Sequence, residues 1–153
     1  MRNLYAKFGV VIFAVFLPLI RLILRSSHRV GVALIFDGKV LLVKNFIARD
    51  TWRLPGGGIE KNEQSMEASV REIREELGLE IDPKNLKLVD SCKMRTDSLG
   101  YDYTVYAYLL SEYPVVTRAK LEITQWQMFD TLPDDSQLEL FEIIDKLKAQ
   151  RLL

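Results

Sequence analysis

Gly57-Gly58-Ile59-Glu60-Lys61-Asn62-Glu63-Gln64-Ser65-Met66-Glu67-Ala68-Ser69-Val70-Arg71-Glu72-Ile73-Arg74-Glu75-Glu76-Leu77-Gly78-Leu79 is the stretch on which the reading of this chain turns. From Met66 to Leu77 it has the period of a helix, about 100° per residue. Met66, Val70, Ile73 and Leu77 then form one apolar stripe that predicts a core-facing side. Gly78 follows as the helix stop, since glycine accepts the left-handed conformation at a helix end. Glu72, Glu75 and Glu76 gather on another face, because spacings of three and four stack side chains. Like-charge pairs weaken a helix by roughly a few tenths of a kcal/mol each, and a cation would remove that cost. Hard divalent ions take oxygen ligands and commonly combine one or two carboxylates with substrate phosphates. A solvated acidic face screened by Arg71 and Arg74 is the plainer alternative.

Just upstream lies Trp52-Arg53-Leu54-Pro55-Gly56-Gly57-Gly58. Consecutive glycines reach backbone angles closed to other residues and let a ligand approach the main chain. A glycine-rich loop leading into a helix is a recurrent phosphate or metal cradle, although Pro-Gly-Gly alone is also an ordinary loop. Joined to Glu63 and the three helix glutamates, the turn reads as one half of a site, with Trp52, Arg53, Gly57 and Gly58 as its candidate substrate contacts.

Together these residues resemble the Nudix box, G-x5-E-x7-R-E-U-x-E-E-x-G-U with U apolar, and no position departs from it. Its fixed identities, at roughly one in fifteen each, make a chance match on the order of one in a million. The resemblance covers the chain from about Arg29 to the C-terminus and is specific only in Gly57 to Leu79. It implies an α/β fold, a Nudix-type α/β/α sandwich with a mixed sheet. It also implies that Glu72, Glu75 and Glu76 bind Mg2+ or Mn2+, joined by the Gly56 carbonyl. Arg71 and Glu63 would support and orient the cluster. The implied reaction is attack of water on one phosphorus of a diphosphate linkage, with metal neutralising charge. The base that takes the water's proton is either a box glutamate or one from a downstream loop. Glu122 lies in the right region for the latter, with a plain surface glutamate as its alternative.

Composition limits the remaining classes. A chain of 153 residues that is 48% hydrophobic suits one domain with a sizeable core. The net charge is zero, so no basic field marks it for nucleic acid and no nucleic-acid partner is expected. Cys92 is the only cysteine and His28 the only histidine. That shortage argues against zinc and for an oxygen-ligand metal. A single cysteine also excludes an internal disulfide and fits a reducing compartment.

Around the motif, Arg29 to Phe36 and Lys39 to Lys44 read as strands joined by Asp37-Gly38, a strong hairpin signal. Thr51 to Leu54, Leu86 to Lys93, Tyr101 to Leu110 and Trp126 to Asp130 read as further strands. Alternation puts Tyr101, Tyr103, Val105 and Ala107 on one face, with Tyr106 and Tyr108 on the other. Gln137 to Leu147 carries Leu138, Phe141, Ile144 and Leu147 at helical spacing, with Leu140 beside them, and predicts a packed C-terminal helix.

Substrate choice lies outside the motif. Phe46, Trp52, Tyr101, Tyr103 and Trp126 are aromatics able to stack a base, but aromatics are more often packing residues. The compact size favours a nucleoside triphosphate or similar small nucleotide. Two alternatives remain open. One is a hydrolase of a lipid-linked or nucleotide-sugar diphosphate at a membrane. The other is a non-catalytic Nudix-fold binding module, although such modules usually lack a box glutamate and this chain keeps them all.

The N-terminus raises the membrane alternative. Phe8 to Ile20 is free of charge, and only Arg21 interrupts the stretch to Leu24. As a helix, Phe8 to Leu24 would span about 26 Å against a hydrocarbon layer of roughly 30 Å. Its apolar residues surround the helix, which disfavours a one-sided surface helix. Leu24-Arg25-Ser26-Ser27 offers no small-x-small cleavage pattern. We therefore divide the chain into residues 1–27, an N-terminal hydrophobic helix and membrane anchor, and residues 28–153, the catalytic domain. Arg21, Arg25 and Arg29 against Arg2 and Lys7 place that domain on the cytoplasmic side. A helix packed on the domain or in a homodimer interface is the alternative.

Overall fold

Asp37 and Gly38 both take positive φ, 49° and 68°, as a two-residue turn matched to strand twist requires. They join β1, His28–Phe36, to β2, Lys39–Asn45, with Phe36 facing Lys39 across the turn. The expected hairpin is present, each strand one residue longer than read. The computed structural model describes residues 28–45, 51–96, 99–117 and 123–153. Within them β3, Lys87–Thr96, β4, Leu99–Leu109, and β5, Ile123–Phe129, complete a five-stranded sheet. Its order is β3-β4-β1-β2-β5. β1 runs parallel to β4 while the other neighbours are antiparallel, so the sheet is mixed.

Two helices cover the sheet: α1, Ser65–Leu77, and α2, Leu138–Ala149. Along β1, Val32 and Leu34 pack into the core beneath α1, whereas Ala33 and Ile35 pack beneath α2. Burial on both faces explains why β1 and β2 are apolar runs rather than alternating ones. β4 divides as expected. Tyr101, Tyr103, Val105 and Ala107 lie with α2, and Tyr106 and Tyr108 with α1. The α/β/α sandwich is thus realised.

The helix stripes are shifted from expectation. α1 ends where read, at Gly78, left-handed with φ 69°, whose N–H donates to the Arg74 carbonyl. Ile73 and Leu77 are fully buried, but Met66 is 38% exposed. Ala68, Ser69, Glu72 and Glu76 share the inner face instead. On α2 the buried residues are Leu140, Ile143, Ile144 and Leu147, while Leu138 is 82% and Phe141 44% exposed. Met66 and Leu138 sit in the first turns of their helices.

Thr51 to Leu54 is not a strand but part of a wedge. β1 and β2 pair only near their turn, at Ile35↔Val40 and Phe36↔Lys39, and diverge beyond it. The segment from Trp52 to Ile59 fills the gap. Val43 and Arg53 exchange both backbone hydrogen bonds, 2.9 and 3.0 Å. The Pro55 and Gly57 carbonyls accept from Val32 and Val30, and Ile59 donates to the His28 carbonyl, each at 2.9 Å.

The apolar segment 8–24, Phe46 and Glu122 lie outside the described residues. Among the described residues no helix is long and apolar enough to cross a membrane.

Candidate active site

The wedge holds the glycine turn flat against β1, and α1 lies over it. Gly56 has φ 141°, and a Cβ there would collide with the Val30 carbonyl, so this position requires glycine. Its N–H donates to Glu76 Oε2 at 2.9 Å. Gly57 has no room either: a Cβ would fall on the Glu72 carboxylate. Missing side chains thus let two helix carboxylates reach the backbone of the turn. Gly58, by contrast, faces open space.

Arg71 organises the remaining acids. Its Nε and Nη2 donate to the two Glu63 carboxylate oxygens at 2.8 and 2.9 Å, a bidentate pair with high directional specificity. Nη1 donates to Glu72 Oε1 at 2.9 Å and lies 3.5 Å from Glu75 Oε2. Nη2 also donates to the Gly58 carbonyl at 2.9 Å. One guanidinium therefore ties the turn, the loop and the helix face together. The Glu63 hydrogen bond, opposed by burial and aided by the bond to Glu72, fixes Arg71 firmly in its charged form. In return that bond holds the Glu63 carboxyl below its usual range. Glu63 Oε2 also accepts from the Glu60 N–H at 2.8 Å, pinning the loop that leads into α1.

Glu72 and Glu76 are 6% and 3% exposed, and Glu75 is half-buried. The donor set consists of hard oxygens, with no histidine or cysteine among these residues, and suits Mg2+ or Mn2+. The Cβ-free cradle at Gly57 is what such a cluster needs. Among the described residues no three acids stand drawn together around one ion position, since Arg71 faces Glu72 and the Gly56 amide faces Glu76.

The other sequence candidates fall in three places. Trp52 is core: 7% exposed, edge-on to Phe129 at 4.8 Å, with Lys44 Nζ 5.1 Å from its ring centre. Trp126 packs against the core beneath α1. Arg53 is half-buried beside the turn, where burial, the largest influence, lowers its pKa while the Glu76 charge opposes the change. With the Asn45 amide oxygen turned toward it, Arg53 Nη2 donates to Asn45, whereas Arg53 Nε is buried without a partner.

Sequence reasoning passed over Arg29 and Asn45. Strand alternation was a usable signal for Arg29, which shares a face with Gly31 and stands opposite Tyr103 in the sheet register.

A family profile described as "NUDIX domain" matches residues 26–144. An "RNA pyrophosphohydrolase" from Hydrogenovibrio crunogenus is 30% identical over 118 residues, covering 75% of this chain and 66% of that protein. A "CTP pyrophosphohydrolase" from Escherichia coli is 45% identical over 47 residues, 29% of this chain and 35% of that protein. The chain therefore spans just under two thirds of the first relative's length and about one third of the second's. The crystal structure of a MutT NUDIX hydrolase from Burkholderia pseudomallei superposes with a TM-score of 0.69 at 25% identity. That match covers 80% of this chain and 98% of the other.

Proposed function

The chain belongs to the NUDIX domain family, and on that premise we propose that it is a divalent-metal-dependent pyrophosphohydrolase. Its proposed substrate is a nucleoside triphosphate or similar small nucleotide, cleaved between two phosphorus atoms. The observation that carries this reading is the approach of Glu76 to Gly56 and of Glu72 to Gly57, with Arg71 drawing Glu72 and Glu75 toward one guanidinium. Names of two relatives, one for RNA and one for CTP, agree with a phosphoanhydride bond as the target.

In this reading Glu72, Glu75 and Glu76, with the Gly56 carbonyl, hold Mg2+ or Mn2+. Bound metal supplies Lewis-acid stabilisation of phosphate charge and lowers the pKa of water. Arg71 keeps Glu72 and Glu75 aimed by drawing both toward one guanidinium. Glu63 keeps Arg71 in place through two parallel hydrogen bonds. Glu122 is proposed as the proton acceptor for the attacking water. The hydrophobic segment 8–24 is proposed to attach the domain to the cytoplasmic face of a membrane.

The test is chromatographic product analysis after incubation with nucleoside triphosphates, nucleotide sugars, prenyl diphosphates and 5′-triphosphorylated oligoribonucleotides, with Mg2+ or Mn2+ and with a chelator. Metal-dependent release of a nucleoside monophosphate is the expected result. Folded protein that leaves the whole panel untouched would instead be a binding module. The oligoribonucleotide is included because a relative bears the RNA name, although the net charge of zero offers no broad basic face for nucleic acid.

A further inference from the structure

The outer face of α2 carries an apolar surface. Leu138 is 82% exposed and Phe141, one helical turn on, 44%. Beside them a cleft of about 210 Å³ opens between α2 and the paired ends of β2 and β5, lined by Val40, Phe129, Phe141, Ile144 and Leu153. An apolar cavity of roughly 150 Å³ already takes a benzene-sized group, so the cleft has room for an aliphatic side chain. On a folded domain, exposed apolar area rimmed by charge marks a contact surface. Here a knob and a hole lie side by side on that surface, as contact between two identical copies requires.

The surrounding charges favour a second copy as the occupant. Leu138, Phe141, Asp145 and Lys148 follow at spacings of three, four and three, so they form one stripe along the helix, and all four are exposed. Every charge from Asp134 to Asp145 is acidic, and every charge from Lys146 to Arg151 is basic. The helix macrodipole favours that order within one helix, and the same order makes two antiparallel copies complementary. Turned about a two-fold axis at Phe141, one copy sets its Leu138 across from Ile144 of the other, at the cleft. Its Lys148 comes across from Asp134, each pair being equidistant from Phe141 in the chain. Among the described residues neither Lys148 nor Asp134 has an opposite charge at ion-pair distance within its own chain. A lipid surface fits less well, because an anionic leaflet would meet the carboxylates of Glu139, Glu142 and Asp145.

We propose that two copies of this chain associate through α2, antiparallel about Phe141, with Leu138 of each copy seated in the apolar cleft of the other. Lys148 and Asp134 close the rim and fix the orientation, since parallel copies would set acid against acid. The acidic cluster on α1 lies on the opposite face of the sheet, so the contact is independent of the pyrophosphohydrolase reading.

Sedimentation equilibrium of the full-length protein tests the contact, with every variant in the same buffer and detergent. Wild type should be a dimer, and Leu138→Asp should raise its dissociation constant roughly a hundredfold, tenfold for each copy of the changed side chain. Lys148→Glu and Asp134→Lys should each weaken the dimer, and the two together in one chain should restore it. In a Cys92→Ser background, Phe141→Cys should cross-link on mild oxidation, and adding Leu138→Asp should abolish the link. The α2 and Asp134 positions are exposed, so these variants should keep the native fold, as circular dichroism can show. Wild type that stays monomeric at about 100 µM overturns the proposal, because specific interfaces associate well below that concentration. A dimer unchanged by Leu138→Asp overturns it as well and moves the contact to another surface.

Discussion

Replacing Gly57 by alanine adds one methyl group where the structure leaves none of the needed space. The new Cβ would fall on the Glu72 carboxylate. Neither neighbour can retreat as a body. The Gly57 carbonyl is bonded to the Val30 N–H at 2.9 Å, and α1 is anchored by Ile73 and Leu77, both fully buried. The Glu72 side chain must therefore swing away and give up its 2.9 Å contact with Arg71 Nη1. Arg71 retains Glu63 and the Gly58 carbonyl, so the stability loss is that of one charged hydrogen bond, about 1 to 3 kcal/mol. For a domain of this size that is a fall in Tm of roughly 2 to 10 °C. Turnover should fall far more, on the order of a hundredfold, because a ligand-bearing side chain is displaced. Calorimetric unfolding and metal-dependent release of nucleoside monophosphate measure the two effects separately. Gly58→Ala is the matched control, since its Cβ meets nothing within 4 Å, and should change both little. Near-normal turnover in Gly57→Ala, with the Tm lowered as expected, would refute the placement of Glu72 in the catalytic cluster.

Glu75→Gln and Glu76→Gln keep the side-chain shape, so each should abolish most Mg2+-dependent turnover with a Tm close to wild type; Glu63→Gln should cost less activity, because Glu63 acts through Arg71. The Glu63 carboxyl, held below its usual 4.5 by the Arg71 hydrogen bond, contributes stability that is present above pH 4.5 and lost as pH falls through its lowered folded-state value. Wild type and Glu63→Gln should accordingly converge in Tm on acidification, and parallel curves from pH 7 to 3 would refute this. The Cys92 thiol is pushed up to about 11, first by burial and then by its bond to Asp90. At pH 8 iodoacetamide should thus label native protein on the order of a hundredfold more slowly than unfolded protein, as intact-mass measurement can show. Full-length protein should pellet with membranes and need detergent, whereas a version beginning near Ser27 should stay in the supernatant and remain active.

What could be read in advance divides along physical lines. Asp37-Gly38 and Gly78 were legible because positive φ is a local demand that few residue types meet. That Glu72, Glu75 and Glu76 share a helix face was legible because spacing on a helix is fixed geometry. The buried stripe of α1 was read less well. Helical period fixes relative directions only, and the inner face of α1 rests partly on the turn, so Glu72 and Glu76, read as a separate face, are buried beside Ile73 and Leu77. Met66 and Leu138 look like core by period but stand in first turns, where the helix has not yet reached the sheet. The wedge from Trp52 to Ile59 was read as a strand at Thr51 to Leu54, since its partner changes from β2 at Arg53 to β1 at Pro55, Gly57 and Ile59 and no local pattern encodes a change of partner.

The wedge between β1 and β2 also sets the mechanics of the glycine turn. A glycine-rich loop standing free of its sheet opens at little cost, but this one cannot lift without unzipping Val30, Val32 and Val43. Its opening free energy is therefore tied to that of the central sheet, and amide exchange at those three positions should be among the slowest in the molecule. In the proposed enzyme the glycine turn would then be a fixed anvil against which the helix carboxylates work.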